Sequence, residues 1–456
     1  MNVPVSFRVS ALFCVLFCPR MAKLQAVFSL RHMLVMSLAL NVGLIMRMFP
    51  DSDETLANDA VEAGVNSKRE THVVQKSTTL SGVNSTSADR PGRRERVINL
   101  DHGDPTMYEG YWRQMGEKTT ITIPGWQSLS YISDMTNVCW FLVPEFAEEV
   151  VRLHQVVGNA VTEDRHIVVG TGSSQLILAA LYALSSPDAA EPISVVSAAP
   201  YYSSYPSMVD YQKSRLYKWA GDAESFNKDG PYIELVTSPN NPDGLLRRSV
   251  VNRSQGLLIH DLAYYWPQYT PITSPSDHDL SLFTVSKSTG HAGMRIGWAL
   301  VKDRKVAEKM TRFIELNTIG VSKDSQLRAA KVLKAVSDGC QQGESSFFKH
   351  SYKLMAGRWK LLRATVEYGG LFSLPQFCPS FCTFFGQETE PQPAFLWLRC
   401  EGEIEDCEGF LRKHKIISRG GKHFGGSPKL TRISMLDTQE TFLDFIERLS
   451  NIQQIK

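Results

Sequence analysis

Hydrophobic and polar positions divide the chain into three stretches of different character. The first fifty residues carry two apolar runs, Ala11–Cys18 and Met33–Met46, with Arg20, Lys23, Arg31 and His32 between them. A helix that crosses a bilayer needs roughly 17–25 apolar residues. Met33–Phe49 reaches that length at its margin, with Asn41 inside it and Arg47 near its end. Residues 1–50 are therefore expected to be an N-terminal targeting segment, a signal anchor giving a single membrane pass, with a cleaved or disordered targeting peptide as the alternative. A start at Met21 would leave the second run intact. From about Asp51 to Arg96 the chain is rich in Ser, Thr, Asn, Asp and Glu and poor in aromatic residues. Such a stretch buries too little apolar surface to offset its ordering entropy, so 51–96 reads as a disordered polar linker.

From Val97 onward short apolar runs alternate with helical patterns. Strands are predicted at Arg165–Gly170, Ile193–Ala199, Tyr232–Ser238, Leu257–Asp261, Leu280–Val285 and Ile296–Val301, with a helix over Ser173–Leu184. Continuous apolar strands separated by loops and helices indicate an α/β fold with a mostly parallel sheet covered on both faces. The pattern becomes helical after Lys302 to about residue 366. Strand candidates follow at Ala394–Arg399 and Lys429–Met435, with a closing helix from Thr438. The expected division is a large domain with an N-terminal arm over 97–320 and a smaller C-terminal α+β domain over 321–456.

Composition changes this picture little. The chain has 456 residues, 43% of them hydrophobic, enough for a large core, and a formal charge of +2 gives no reason to expect nucleic acid as a partner. The short basic run Arg93-Arg94-Glu95-Arg96 reads as solvated linker. Eight cysteines are scattered without the spacing of a zinc site or a disulfide framework, so free thiols and no metal are expected.

The candidate chemistry gathers where the strands end. In open α/β sheets ligands sit beyond the carboxyl ends of the strands, and the unusual residues fall there. Gly170-Thr171-Gly172-Ser173-Ser174 follows one strand and Pro239-Asn240-Asn241-Pro242 another; Asp261-Leu262-Ala263-Tyr264 and Thr284-Val285-Ser286-Lys287 end two more. Backbone N–H groups and hydroxyls at a helix start form an anion site, although a Gly turn with a Ser cap has the same sequence. A lysine just past a buried strand is partly desolvated, which favours the free amine that imine chemistry needs. Asp261 can pair with a protonated ring nitrogen or simply cap a turn. Asn241 and Tyr264 can donate to a phenolic oxygen, and Arg295 can bind a phosphate. Taken singly each residue has a plainer structural reading. Together they are the parts that pyridoxal 5′-phosphate (PLP) requires: an amine, a carboxylate for the pyridine nitrogen and a phosphate cradle.

Taken together, these residues resemble the fold-type-I PLP-dependent transferases. Four longer stretches are similar to the alliinase C-terminal-domain family, in its plant tryptophan aminotransferase-related branch: Ile98–Tyr111 (INLDHGDPTMYEGY), Tyr232–Gly244 (YIELVTSPNNPDG), Ala263–Thr273 (AYYWPQYTPIT) and Phe283–Val301 (FTVSKSTGHAGMRIGWALV). The resemblance runs from about Ile98 to the C-terminus. It implies a three-layer αβα large domain with PLP as cofactor and Lys287 as the Schiff-base lysine and general base. It further implies Asp261 at the ring nitrogen, Asn241 and Tyr264 at the phenolic oxygen, and Tyr202 stacked on the ring. Gly172, Ser173, Ser174, Thr284, Ser286 and Arg295 would hold the phosphate. Arg432 would bind the substrate carboxylate, and Tyr131 would reach into the neighbouring subunit's site, making a homodimer obligatory.

The implied reaction transfers the amino group of L-tryptophan to a keto acid, pyruvate by resemblance, giving indole-3-pyruvate for auxin synthesis. Alternatives are an alliinase-like carbon–sulfur lyase acting on S-alkyl cysteine sulfoxides and a non-catalytic membrane-anchored binding protein. Alliinases carry a cysteine-rich module ahead of the catalytic region where this chain has its anchor and linker, which favours the aminotransferase. Trp126, Trp140 and Tyr205 can line an indole pocket or pack in the core. The anchor and the resemblance imply the endoplasmic reticulum membrane. Basic residues before Met33 favour a lumenal catalytic domain, as do the sequons Asn84-Ser85-Thr86 and Asn252-Arg253-Ser254, whereas unpatterned cysteines suit a reducing compartment.

Overall fold

Residues 96–342 and 346–454 are described by the computed structural model. They begin on a two-residue strand, β1 (Ile98–Asn99), that runs parallel to Ile416–Ile417 and so ties the start of the globular chain to its C-terminal part. The main sheet contains β2 (His166–Gly170), β3 (Ile193–Ser197), β4 (Tyr217–Asp222), β5 (Tyr232–Thr237), β6 (Gly256–Asp261), β7 (Leu280–Thr284) and β8 (Gly297–Val301). Its order is β2-β8-β7-β6-β5-β3-β4. All neighbours are parallel except those of β8, which runs antiparallel to both β2 and β7. Every residue of β5, β7 and β8 is buried, as expected of strands covered on both faces.

The predicted strands are all present, with ends shifted by a residue or two. The pattern missed β4, an edge strand whose sequence YKWAGD mixes apolar residues with Lys, Gly and Asp and is only partly buried. The helical stretch resolves into Arg304–Thr318, Lys323–Gln342 and Phe347–Glu367. Beyond it lie β9 (Phe372–Ser373), the hairpin of β10 (Ser380–Cys382) and β11 (Gln387–Thr389), and β12 (Phe395–Cys400). Next come β13 (Ile416–Ile417), β14 (Arg419–Gly420) and β15 (Leu430–Ser434). The second sheet has the order β14-β15-β12-β9 and is closed by the helix Gln439–Gln454.

Two further findings bear on the sequence reading. Cys400 and Cys407 form a disulfide, with Cα atoms 5.5 Å apart, where free thiols had been expected. The chain turns back between the end of β12 and the helix Cys407–Lys413, bringing together two cysteines whose spacing fits no familiar framework. Cys139, Cys340, Cys378 and Cys382 are free thiols. Among the described residues no helix is long and apolar enough to cross a membrane, and the anchor and linker expected at 1–50 and 51–96 lie outside them, apart from Arg96.

Candidate active site

The parallel register brings the carboxyl ends of the central strands into one row. Thr237 of β5 pairs with Asp261 of β6, and both Gly170 and Thr284 lie opposite Gly297 of β8. At that edge, loops and the second sheet enclose a cavity of about 350 Å³, within the size range of small-molecule sites. Ser173, Ser174, Tyr202, Asn241, Asp261, Tyr264, Thr284, Ser286, Lys287, Arg295 and Arg432 all line it. Two predicted residues do not. Gly172 stands behind Arg295, and Tyr131 lies on the surface, 72% exposed, among the equally exposed Trp126, Leu129 and Met135.

Lys287 sits in a one-turn helix, Val285–Ser288, that starts where β7 stops, capped by Thr284 Oγ1 accepting from the Ser286 N–H at 3.2 Å. Its Nζ donates to the carbonyl of Gly103. Burial, followed by the positive charge of Arg432, pulls this amine down from 10.5 to about 8, partly opposed by Asp104. Desolvation disfavours the charged ammonium, so a neutral nucleophilic amine is accessible near neutral pH.

Asp261, at the end of β6, is buried with no cation in hydrogen-bonding contact. Its Oδ2 accepts from the Tyr205 phenol at 3.0 Å and its Oδ1 from the Ala263 N–H at 3.2 Å. Burial pushes its carboxyl up, against the pull of those two donors. Asn241 gives its Oδ1 to Arg432 Nη1 at 3.0 Å, which leaves its Nδ2 hydrogens as donors. Burial holds the Tyr264 phenol protonated, well above 10, so it too is a donor.

The anion end is built from the turn after β2. Gly172 has φ +74 and opens the helix Gly172–Leu184; a Cβ on it would lie 2.6 Å from Arg295 Nη2. Gly297 allows the same turn to press on β8, since a Cβ there would meet the Ser173 N at 3.0 Å. Arg295 itself adopts a left-handed backbone (φ 54) and donates from Nη1 to the Ala292 carbonyl at 2.7 Å. A side chain other than Gly, Asn or Asp in that region costs roughly 1–2 kcal/mol. Strain of this kind collects at binding sites, and here it aims a guanidinium over a helix N-terminus beside the hydroxyls of Ser173, Ser174, Thr284 and Ser286.

Arg432, on β15, is buried against the rings of Phe395 and Phe424, at 4.2 and 5.2 Å from their centroids. Its Nη2 donates to the Asp101 carbonyl, and its Nε is buried without a hydrogen-bond partner. Such a guanidinium lacks an anion, and a carboxylate would satisfy it.

The residues fit PLP. A depressed amine, a buried carboxylate without a cation, two donors for a phenolic oxygen and an anion cradle that a Cβ would fill are all present in one cavity. Sequence reasoning overlooked several residues. Arg419 lines the cavity, paired with Asp101 Oδ2 and Ser203 Oγ at 3.3 and 3.1 Å. Phe395, His102 and Gly103 also line it, and His102 Nε2 pairs with Asp437 at 3.2 Å. The stretch Ile98–Tyr111 was the available signal for the Asp101–Gly103 segment. Tyr205 is fully buried, does not line the cavity and donates to Asp261 Oδ2. Trp126 is exposed and Trp140 half-buried, and neither lines the cavity.

The chain is similar to known proteins in sequence and in fold. Residues 98–453 match the family described as "Allinase". The chain is 56% identical over 439 residues to "Tryptophan aminotransferase-related protein 2" of Arabidopsis thaliana, covering 94% of this chain and 99% of that one. It is 36% identical over 370 residues to "Alliin lyase 1" of Allium sativum, covering 78% and 74%. Among solved structures, an aspartate aminotransferase of Thermus thermophilus superposes with a TM-score of 0.54 at 16% identity, over 78% of this chain and 92% of that one. The fold is that of the fold-type-I PLP aminotransferases.

Proposed function

This chain belongs to the alliinase family, and from that membership we propose that it is a PLP-dependent aminotransferase converting L-tryptophan and pyruvate to indole-3-pyruvate and alanine, in auxin biosynthesis. The observation that carries the reading is the gathering of Lys287, Asp261, Asn241, Tyr264, Arg295 and Arg432 around one cavity. The near full-length similarity to a tryptophan aminotransferase-related protein supports the choice of substrate over the more distant alliin lyases.

When bound, PLP supplies an electron sink for the pair left as the substrate Cα–H bond breaks. The protein's part follows from its own groups. Lys287 would hold the cofactor through Nζ and, as the free amine, would be the base that takes the substrate's Cα proton and delivers it to the cofactor carbon on the far side of the shared nitrogen. Asp261 keeps a positive charge on the ring nitrogen. Asn241 and Tyr264 would donate to the phenolic oxygen, and Tyr202 would lie against the ring. Ser173, Ser174, Thr284, Ser286 and Arg295 would hold the phosphate, with Gly172, expected among them, standing behind Arg295 and leaving it room. Arg432 takes the α-carboxylate, giving up the Asp101 carbonyl to do so, and thereby orients the Cα–H bond towards Lys287.

We read residues 97–320 as the cofactor-binding domain and 321–456 as the small domain that brings Arg432 to it. The exposed apolar stretch around Tyr131 supports a homodimer in which Tyr131 enters the partner's site. Retention at the endoplasmic reticulum membrane rests on residues 1–50. The deciding experiment supplies purified protein and PLP with L-tryptophan plus pyruvate, and separately with an S-alkyl cysteine sulfoxide. Indole-3-pyruvate from the first supports the aminotransferase. Pyruvate released from the second, with no amino transfer in the first, replaces it with the carbon–sulfur lyase. Absence of PLP-dependent absorbance would overturn both.

A further inference from the structure

Tyr205 lies one turn beyond Tyr202, at the start of the helix Tyr205–Tyr211, with its N–H bonded to the Tyr202 carbonyl at 3.0 Å. Its ring is edge-on to that of Tyr202, 5.3 Å between centroids, and completely buried, so it does not line the cavity. The phenolic oxygen is 3.0 Å from Asp261 Oδ2 and 2.6 Å from Thr237 Oγ1. An ionised carboxylate can only accept, so the phenol proton points at Asp261 and the Thr237 hydroxyl donates to the phenol. The two β-strands fix this order, because Thr237 and Asp261 are register partners on β5 and β6. The result is a directed chain of hydroxyl, phenol and carboxylate, closed on the other side by the Ala263 N–H at Oδ1.

We propose that Tyr205, backed by Thr237, is a positioning residue that keeps Asp261 ionised and aimed at the ring nitrogen of the cofactor. This rests on the PLP reading of the cavity. The physical argument concerns where a proton resides. A buried carboxylate opposite a pyridine nitrogen can leave the proton on the nitrogen or draw it onto itself. Burial alone favours the second, neutral arrangement. A charge-assisted hydrogen bond from Tyr205 lowers the basicity of Asp261 and so favours the first, in which the ring is cationic. The same bond fixes which oxygen faces the cavity. The Tyr205 phenol is fully buried and does not line the cavity, so this donor faces no competition from water, while Thr237 stands at the cavity wall behind it.

The test compares binding of PLP with binding of its deaza analogue, in which the ring nitrogen is replaced by C–H and cannot carry a proton. Wild-type protein should bind PLP more tightly than the analogue. Tyr205→Phe retains the ring and removes only the hydroxyl. It should weaken PLP binding about tenfold, the scale of one charge-assisted hydrogen bond, while leaving affinity for the analogue within about twofold. Thr237→Val, which removes the second link, should shift the PLP affinity the same way by a smaller factor and provides an independent readout if Tyr205→Phe does not fold. In PLP labelled with ¹⁵N at the ring nitrogen, both variants should move the nitrogen resonance towards its unprotonated position. Equal loss of affinity for both ligands, or an unchanged preference and resonance, would overturn the inference and assign Tyr205 to packing. Failure of wild-type protein to bind PLP at all would instead sink the underlying cofactor reading.

Discussion

Acid should weaken this fold through His154, a histidine buried in an aromatic pocket. His154 is completely buried among Trp266, Phe283 and Trp298. Its Nε2 accepts from the Trp298 indole N–H at 3.0 Å, so the ring proton sits on Nδ1 and donates to Asn159 Oδ1 at 2.8 Å. Asn159 in turn donates to the Tyr265 carbonyl at 2.7 Å. Protonation would charge a ring in an apolar pocket and set two N–H donors against each other at Trp298. Burial accordingly pulls His154 from 6.5 down to about 4, with the Asn159 bond acting weakly in the other direction. A depressed folded-state value contributes stability that is present above pH 6.5 and lost as the pH falls from there through about 4. Between pH 7 and pH 4.5 the loss from this one group is about 2.5 kcal/mol. His154→Gln retains a donor and an acceptor but does not titrate. It should be less stable than wild type at pH 7, by roughly 1–3 kcal/mol for imperfect bonds and packing. That gap should close by about 2.5 kcal/mol at pH 4.5. Urea melts of both proteins at the two pH values measure it. His260 and His291, also held below their usual range by burial, are common to both proteins and cancel. A gap that stays the same at both pH values would refute the buried-neutral assignment.

The remaining outcomes concern the site and the disulfide. The rate of PLP capture by ligand-free protein should rise with pH to about 8 and level off above it, because the neutral amine of Lys287 is the nucleophile, whereas an ordinary lysine would continue to rise; Lys287→Ala should abolish transamination unless amine is added. Gly172→Ala should weaken PLP binding by about tenfold or more, since φ +74 and the 2.6 Å approach to Arg295 both oppose a Cβ, and pyridoxal lacking the phosphate should be affected less. Arg432→Lys should raise the KM for the amino acid by roughly 10–100-fold while PLP absorbance is retained, because a point charge cannot form the paired contacts of a guanidinium. Serine at Cys400 and Cys407, seven residues apart, should lower stability by about 2.5 kcal/mol or less, as chain entropy predicts for so small a loop, seen as a lower Tm in oxidised protein.

What was legible in the sequence were features carried by consecutive residues. The buried strands announce themselves because parallel strands covered on both faces are apolar throughout, and the residues at their ends follow directly. β4 escaped because an edge strand with one open side need not be apolar. Tyr205 was ambiguous because its spacing from Tyr202 says nothing of a carboxylate 56 positions further on. Arg419 and the Asp101 segment escaped for a similar reason, since they meet across 318 residues of chain. Loop contacts of that range depend on how two sheets pack, which local patterns do not encode. The cysteine pair adds a different lesson, that a reversal of the chain can bring together thiols whose spacing matches no known framework.

The segment over the cavity has a thermodynamic consequence. The Asp101 carbonyl accepts from the guanidinium of Arg432, and the Gly103 carbonyl accepts from the amine of Lys287. The Asp101 carbonyl is thus the acceptor that a substrate carboxylate would replace at Arg432, and the Gly103 carbonyl the one that the cofactor would replace at Lys287. At Nη2 an arriving carboxylate therefore exchanges one acceptor for another and gains the margin by which a carboxylate surpasses a peptide carbonyl, while the unpartnered Nε gains an acceptor outright. Neutral amides and esters of the substrate have no such margin. Discrimination against them is thus set by what the protein already offers itself, before any wall of the pocket is consulted.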